Sequence, residues 1–226
     1  MNLQETLDRI KAEATPENLE EMAKQGVNTQ NACGTTVTAL RALSKEIRLN
    51  HELALELWAT GQHEAKILAT MIADKRVFTP ELLEEWVLSI NSWDICDQFC
   101  TNIAYKTEAG VMKAYEWCVQ DEIFVKRAGF AIIATLAAKK EPTEAEIDSF
   151  LTLILNECAD SRNYVRKAVS WALRNIGKID EKNRKKAIQL AKYMKDDSSK
   201  TAKTTATEAL TELNSKEVKT KSKYVK

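Results

Sequence analysis

The sequence predicts an all-α fold, on three observations. Apolar residues recur at spacings of three and four almost everywhere, the period of an amphipathic helix. Alternation of β-branched and polar residues, the mark of a half-buried strand, is nearly absent. Only 6 Gly and 3 Pro occur in 226 residues, so little breaks the helical pattern.

Taken in order, the N-terminal stretch MNLQETLDRIKAEATPENLEEM is charged and amphipathic, with no apolar signal-peptide region. Pro16 and Pro80 follow Thr15 and Thr79, Pro142 follows Glu141, and acidic residues come next. That is the pattern of helix first turns, where proline forfeits no hydrogen bond and carboxylates complement the dipole. HELALELWAT (51–60) sets Leu53, Leu57 and Trp58 on one stripe, widened by Ala54 and Leu55. EAKILATMIAD (64–74) does the same with Leu68, Met71 and Ile72. The reading gives about twelve short helices joined by loops of roughly two to five residues.

The helices also resemble one another. EAKILATMIA (64–73), VKRAGFAIIATLA (125–137) and VRKAVSWALRNIG (165–177) share a basic residue followed by small and large apolar residues in alternation. Lys167 follows Arg127 by 40 residues, and Lys203 follows Lys167 by 36. A period near 40 with paired helices predicts HEAT-like repeats stacked into an α-solenoid with a concave groove. Small residues such as Ala128, Ala131, Ala168 and Ala172 would let neighbouring helices approach closely. One repeat domain is expected over residues 1–213. The remaining NSKEVKTKSKYVK (214–226) carries five lysines without apolar periodicity and reads as a frayed or disordered basic tail.

Composition narrows the function. Hydrophobic residues make up 44% and charged residues 29%, and no stretch approaches a membrane span of about 20 apolar residues. The expectation is a cytoplasmic protein with no membrane partner. Five cysteines (Cys33, Cys96, Cys100, Cys118, Cys158) lack a CxxC pair and read as free thiols on apolar helix faces. The only histidines, His51 and His63, have no cysteine at ligand spacing, so neither metal nor cofactor is expected. Net charge is zero but unevenly placed: residues 1–100 carry 9 basic and 16 acidic side chains, a net of −7. Residues 161–203 hold 13 Lys/Arg against 4 Asp/Glu, which is either a solvated helix surface or a basic face suited to a polyanion.

The stretch SINSWDICDQFC (89–100) raises the sharpest question. Ser92 suits an N-cap and Asp94 a first turn, with no function needed. Asp97 lies a turn further in, on the face of Trp93. Among Ile95, Cys96, Phe99 and Cys100, an acid there is either on the solvent side or desolvated for a purpose. Arg127 in EIFVKRAGFAII either snorkels or points into a groove. RNYVRKAVSWALRNIGK (162–178) offers Tyr164, Arg166, Lys167, Trp171 and Arg174, and its tryptophan is either core or groove lining.

SWDICD, FVKRAGFAIIATLA and YVRKAVSWALRNIGK, in this order and at this spacing, resemble the AlkD-like DNA alkylation repair family, a superfamily of HEAT-like repeat DNA glycosylases. The resemblance runs from about residue 33 to residue 213. It implies a concave groove lined by the tryptophan and aspartate of a WDxxD motif, an arginine on a later helix and a tryptophan on the next repeat. By motif position these are Trp93, Asp97, Arg127 and Trp171. It further implies hydrolytic excision of cationic N3- and N7-alkylated purines from duplex DNA, without extruding the base into a pocket. On that reading Asp97 stabilises the oxocarbenium-like sugar, Trp93 and Trp171 flank it, and Arg127 grips a phosphate. Arg166, Lys167, Arg174 and Lys203 add backbone contacts. Separately, no sequence feature calls for an obligate protein partner, and a monomer is expected. Family members place a tyrosine from the N-terminal helices near the lesion, whereas the first aromatic here is Trp58. That departure and the zero net charge favour the alternative, a non-catalytic HEAT-repeat module binding a nucleic-acid structure or a protein.

Overall fold

Helix starts are set by local chemistry. Asn2 caps α1 (Leu3–Ala12) and Thr143 caps α10 (Glu144–Glu157), each in a capping box with the glutamate three residues on. Thr15, Thr36, Asn50 and Thr79 accept first-turn amides of α2 (Pro16–Lys24), α3 (Val37–Ile47), α4 (His51–Ala59) and α6 (Pro80–Leu88). Pro16 and Pro80 therefore open their helices as expected. Pro142 does not: α10 begins at Glu144, because Thr143 supplies the cap and leaves the proline outside it.

The structure, a computed structural model, describes residues 1–139 and 142–221. Among the described residues there are fourteen α-helices and no strand, only an isolated bridge between Ala14 and Thr35. No helix among them is long and apolar enough to cross a membrane. Packing forms two compact units, Met1–Thr107 and Glu108–Lys226.

In the first unit α5 (His63–Ile72) is central, packed against α3, α4 and α7 (Trp93–Asn102). Nine of its ten residues are buried, including His63, Glu64 and Lys66, so it is a core helix and not the one-sided stripe expected from the sequence. The core beside it is aromatic. Trp58 stacks on Trp86 at 3.9 Å and 7°, and Phe78 meets Trp86 edge-on at 4.9 Å. Leu55, expected to widen the α4 stripe, is 37% exposed instead.

The second unit holds α8 (Glu108–Trp117), α9 (Ile123–Lys139), α10, α11 (Asn163–Ile176), α12 (Glu181–Lys195) and α13 (Lys200–Leu213). α11 packs on α9 and α13, with α10 and α12 against it. Residues Val125–Ala137 of α9 are buried without exception. Gly129 lets α9 approach α8: a Cβ there would lie 2.6 Å from the Cys118 amide nitrogen. The tail expected to be irregular from Asn214 forms a further short helix, α14 (Lys216–Lys221), and its last residues, 222–226, lie outside the described residues.

Candidate functional site

The start of α7 answers the question posed by its sequence. Ser92 has the extended backbone of an N-cap, yet its hydroxyl caps nothing. It donates instead to Asp94 Oδ1 at 2.6 Å and accepts from the Asn28 amide at 3.2 Å. Asp94 Oδ2 lies 2.8 Å from Nε2 of His63, whose side chain is 2% exposed. Burial pushes the Asp94 carboxyl up, but the hydrogen bonds and charge of His63, with Ser92, outweigh it and hold the pKa below the usual carboxylate value. Asp94 is thus a structural acid.

Asp97 lies one turn further along the helix. Ile95, Cys96, Phe99 and Cys100 form the buried face of α7, while Trp93 and Asp97, one turn apart, lie half-buried on the other. The helix therefore presents one carboxylate beside an indole on a partly accessible surface.

Two further charges on α5 are structural and were missed in the sequence. The Glu64 carboxylate, in a residue 1% exposed, accepts the backbone amides of Cys33, Gly34 and Thr35 at 2.8–3.3 Å. Lys66 donates to the Ser89 carbonyl at 2.6 Å and lies 5.0 Å from the Trp58 ring centroid, and burial lowers its pKa. The unit also carries a polar pocket of about 490 Å³ lined by Arg41, Lys75, Arg76 and Lys106, with Arg76 paired to Asp74 at 2.7 Å. No spacing rule would have found it, because its members come from α3, a 3₁₀ turn at Lys75–Val77 and the chain after α7.

In the second unit Arg127 is 5% exposed and donates to the Tyr164 carbonyl at 2.7 Å, which ties α9 to the start of α11. Beside it Lys126, also buried, pairs with Glu157 at 2.6 Å and Asp160 at 3.6 Å. Trp171 is half-buried, neither core nor free. Tyr164, Lys167, Trp171 and Arg174 recur at three- and four-residue steps along α11 and none is buried, so aromatic and basic side chains alternate on one face. Lys167 and Lys203 are exposed. Arg166 pairs with Glu208 at 2.7 Å, and Arg174 and Lys178 both pair with Glu212. Burial raises the pKa of both glutamates, but their cationic partners outweigh it and hold them low. The structure thus brings Trp93 and Asp97 together on α7, and Arg166, Lys167, Trp171 and Arg174 together on α11.

The chain can now be set against known proteins. No curated protein sequence matches it. Among solved structures, one is described as belonging to "a new family of proteins related to the HEAT-like repeat DNA glycosylases with affinity for branched DNA structures". It aligns with a TM-score of 0.80 at 19% identity, over 92% of this chain and 94% of its own. An engineered protein aligns with a TM-score of 0.46 at 14% identity, over 95% and 99%. The first likeness shows a HEAT-like repeat fold. The sequence profile described as DNA alkylation repair enzyme matches residues 6–213, and the chain belongs to that family.

Proposed function

We propose that the protein is a DNA glycosylase that excises cationic N3- and N7-alkylated purines from duplex DNA, residues 1–213 acting as one repeat domain. The observation that carries this reading is the half-buried Asp97 one turn from Trp93 on the partly accessible face of α7. An alkylated purine is already a cationic leaving group, so no strong general acid is needed. As the C1′–N9 bond breaks, its electron pair leaves with the base, which departs neutral, and positive charge develops on the sugar. A carboxylate held in place stabilises that charge and orients the water that adds to C1′. Asp97 takes this role, with the indole face of Trp93 against the polarised sugar. Lys167 and Lys203 supply phosphate contacts, joined by Arg166 and Arg174, while Arg127, buried and bonded to the Tyr164 carbonyl, positions the start of α11 instead of reaching a phosphate as the resemblance implied.

A second reading is binding of a branched nucleic-acid structure without catalysis. It is favoured by the neutralisation of Arg166 and Arg174 by Glu208 and Glu212, and by what is described for the structure with the matching fold. Release of free base from duplex containing N7-methylguanine separates the two. The glycosylase reading expects release by the parent protein and its sharp loss in Asp97→Asn and Arg127→Ala. Tight binding of a four-way junction with no base release supports the second reading and overturns the first.

A further inference from the structure

We propose that the polar pocket in the first unit is a phosphate site, in which Arg41 and Lys75 hold one phosphate group. Residues 1–100 carry 16 acidic side chains against 9 basic, yet three of those nine, Arg41, Lys75 and Arg76, line this pocket together with Lys106. Asp74 is the one carboxylate among its lining residues. The acidic part of the sequence thus turns basic at a single place, and a cleft lined mainly by one sign of charge concentrates ions of the other.

The cations there differ in what they have left to offer. Arg76 closes on Asp74 through Nε and Nη2 at 2.7–3.1 Å, and Lys106 lies 5.5 Å from the Tyr105 ring centroid. Arg41 and Lys75 are exposed, and neither side chain has an ion-pair partner among the described residues. Lys75 follows the end of α5, where the helix dipole attracts a cation. Arg41 is the fifth residue of α3, and the dipole gives no such reason for it. A forked guanidinium and an ammonium lining one pocket match the oxygens of a phosphate. Thr70 accepts the Asn102 side-chain amide at 2.9 Å and donates to the Ile67 carbonyl at 2.7 Å, so the uncharged lining is polar and already bonded within itself. At about 30 Å³ per water, 490 Å³ holds about sixteen waters, more room than one small anion fills. The phosphate therefore enters as part of a nucleic-acid strand. A free ion is the other source of the same chemistry, and only the strand rests on the function proposed above.

Anisotropy of a labelled duplex, titrated between about 50 and 200 mM salt, tests the site. Arg41→Ala and Lys75→Ala should each lower the salt slope by about 1, so across that range the double variant loses about tenfold less affinity than the parent. Lys45→Ala removes a like charge from an exposed position of α3 outside the pocket and should leave the slope unchanged. Asp74→Asn keeps an oxygen for the Arg76 backbone amide but frees the guanidinium, and should steepen the slope by about 1, a gain that misfolding does not produce. Equal slopes in the parent, the double variant and Asp74→Asn overturn the site and leave nucleic-acid binding standing. Equal effects of Lys45→Ala and Arg41→Ala reduce the pocket to general charge and overturn it too. Where no duplex binds, phosphorus NMR of inorganic phosphate decides. Binding by the parent, lost in the double variant, supports the site and assigns it to a free ion, and no binding overturns it. Release of N7-methylguanine, measured in parallel, reports on the glycosylase separately.

Discussion

Glu64 offers the most direct test of how the first unit is built. Its carboxylate, on the second residue of α5, meets three consecutive amides of the loop at Cys33–Thr35. The same loop crosses the junction of α1 and α2: the Thr15 amide donates to the Gly34 carbonyl at 3.2 Å, and Thr35 Oγ donates to the Ile10 carbonyl at 2.6 Å. Gly34 is required there, with φ +95° and a would-be Cβ only 2.4 Å from the Thr15 carbonyl. One buried acid thus holds the N-terminal helices to the core helix.

Glu64→Ala strands three amide donors, at about 1 kcal/mol each for a partly buried loop, and removes one methylene worth about 0.8 kcal/mol. Relief from burying a charge offsets part of this, which leaves a loss of about 3 kcal/mol, within the range for breaking a buried charged network. Glu64→Gln keeps one acceptor oxygen but turns an NH₂ toward the donors, and should lose about half as much. Urea unfolding with hydrogen exchange at Cys33, Gly34 and Thr35 reads both effects, and the exposed Glu20→Ala serves as control, expected within about 0.5 kcal/mol of the parent. A Glu64→Ala protein within about 1 kcal/mol of the parent, its three amides still protected, would refute the assignment.

Four further outcomes are expected. Asp94, Asp160, Glu208 and Glu212 all have pKa values below the usual carboxylate range. The unfolded chain therefore binds these protons first as pH falls, so stability is full above about pH 5 and is lost through about pH 4 and below; a urea midpoint flat from pH 6 to about 3 would contradict this. Gly129→Ala should cost about 1–3 kcal/mol by forcing α8 from α9, read as a lowered midpoint with helix content retained. Cys33 is the one half-buried thiol among five cysteines, and burial pushes the Cys118 thiol well up; a thiol reagent should label Cys33 first and the rest only on unfolding. On the proposed DNA reading, Lys167→Ala and Lys203→Ala should each lower the salt slope of duplex binding by about 1.

The fold was legible because its signals are local. Thr15–Pro16 and Thr79–Pro80 declare their helices by capping chemistry alone, and the period near 40 follows from repeated packing of α9, α11 and α13. Trp93 and Asp97 were legible as a pair because one helix carries both. What escaped reading was whatever depends on burial from several directions. A 3.6-residue pattern cannot show that α5 is enclosed on nearly every side, so nothing in the sequence marked Glu64 and Lys66 as buried. Nor does spacing reveal a partner 31 residues away, and Asp94 looked like a dipole-complementing acid until His63 met it.

The same limit applies to the basic half of the chain, where counting charges overstates what is available to a polyanion. Of the four cations assigned there to phosphate contacts, Arg166 and Arg174 already face Glu208 and Glu212, while Lys167 and Lys203 stand exposed. A phosphate reaching either arginine must displace a carboxylate from α13, so it exchanges one ion pair for another instead of releasing only counterions. Plain duplex gains little from that exchange. A nucleic-acid geometry that also engages the aromatic positions of the α11 stripe, Tyr164 and Trp171, gains stacking that does not depend on charge. Recognition by this chain is therefore expected to rest on shape and stacking more than on net charge, consistent with a protein whose 33 basic and 33 acidic residues cancel.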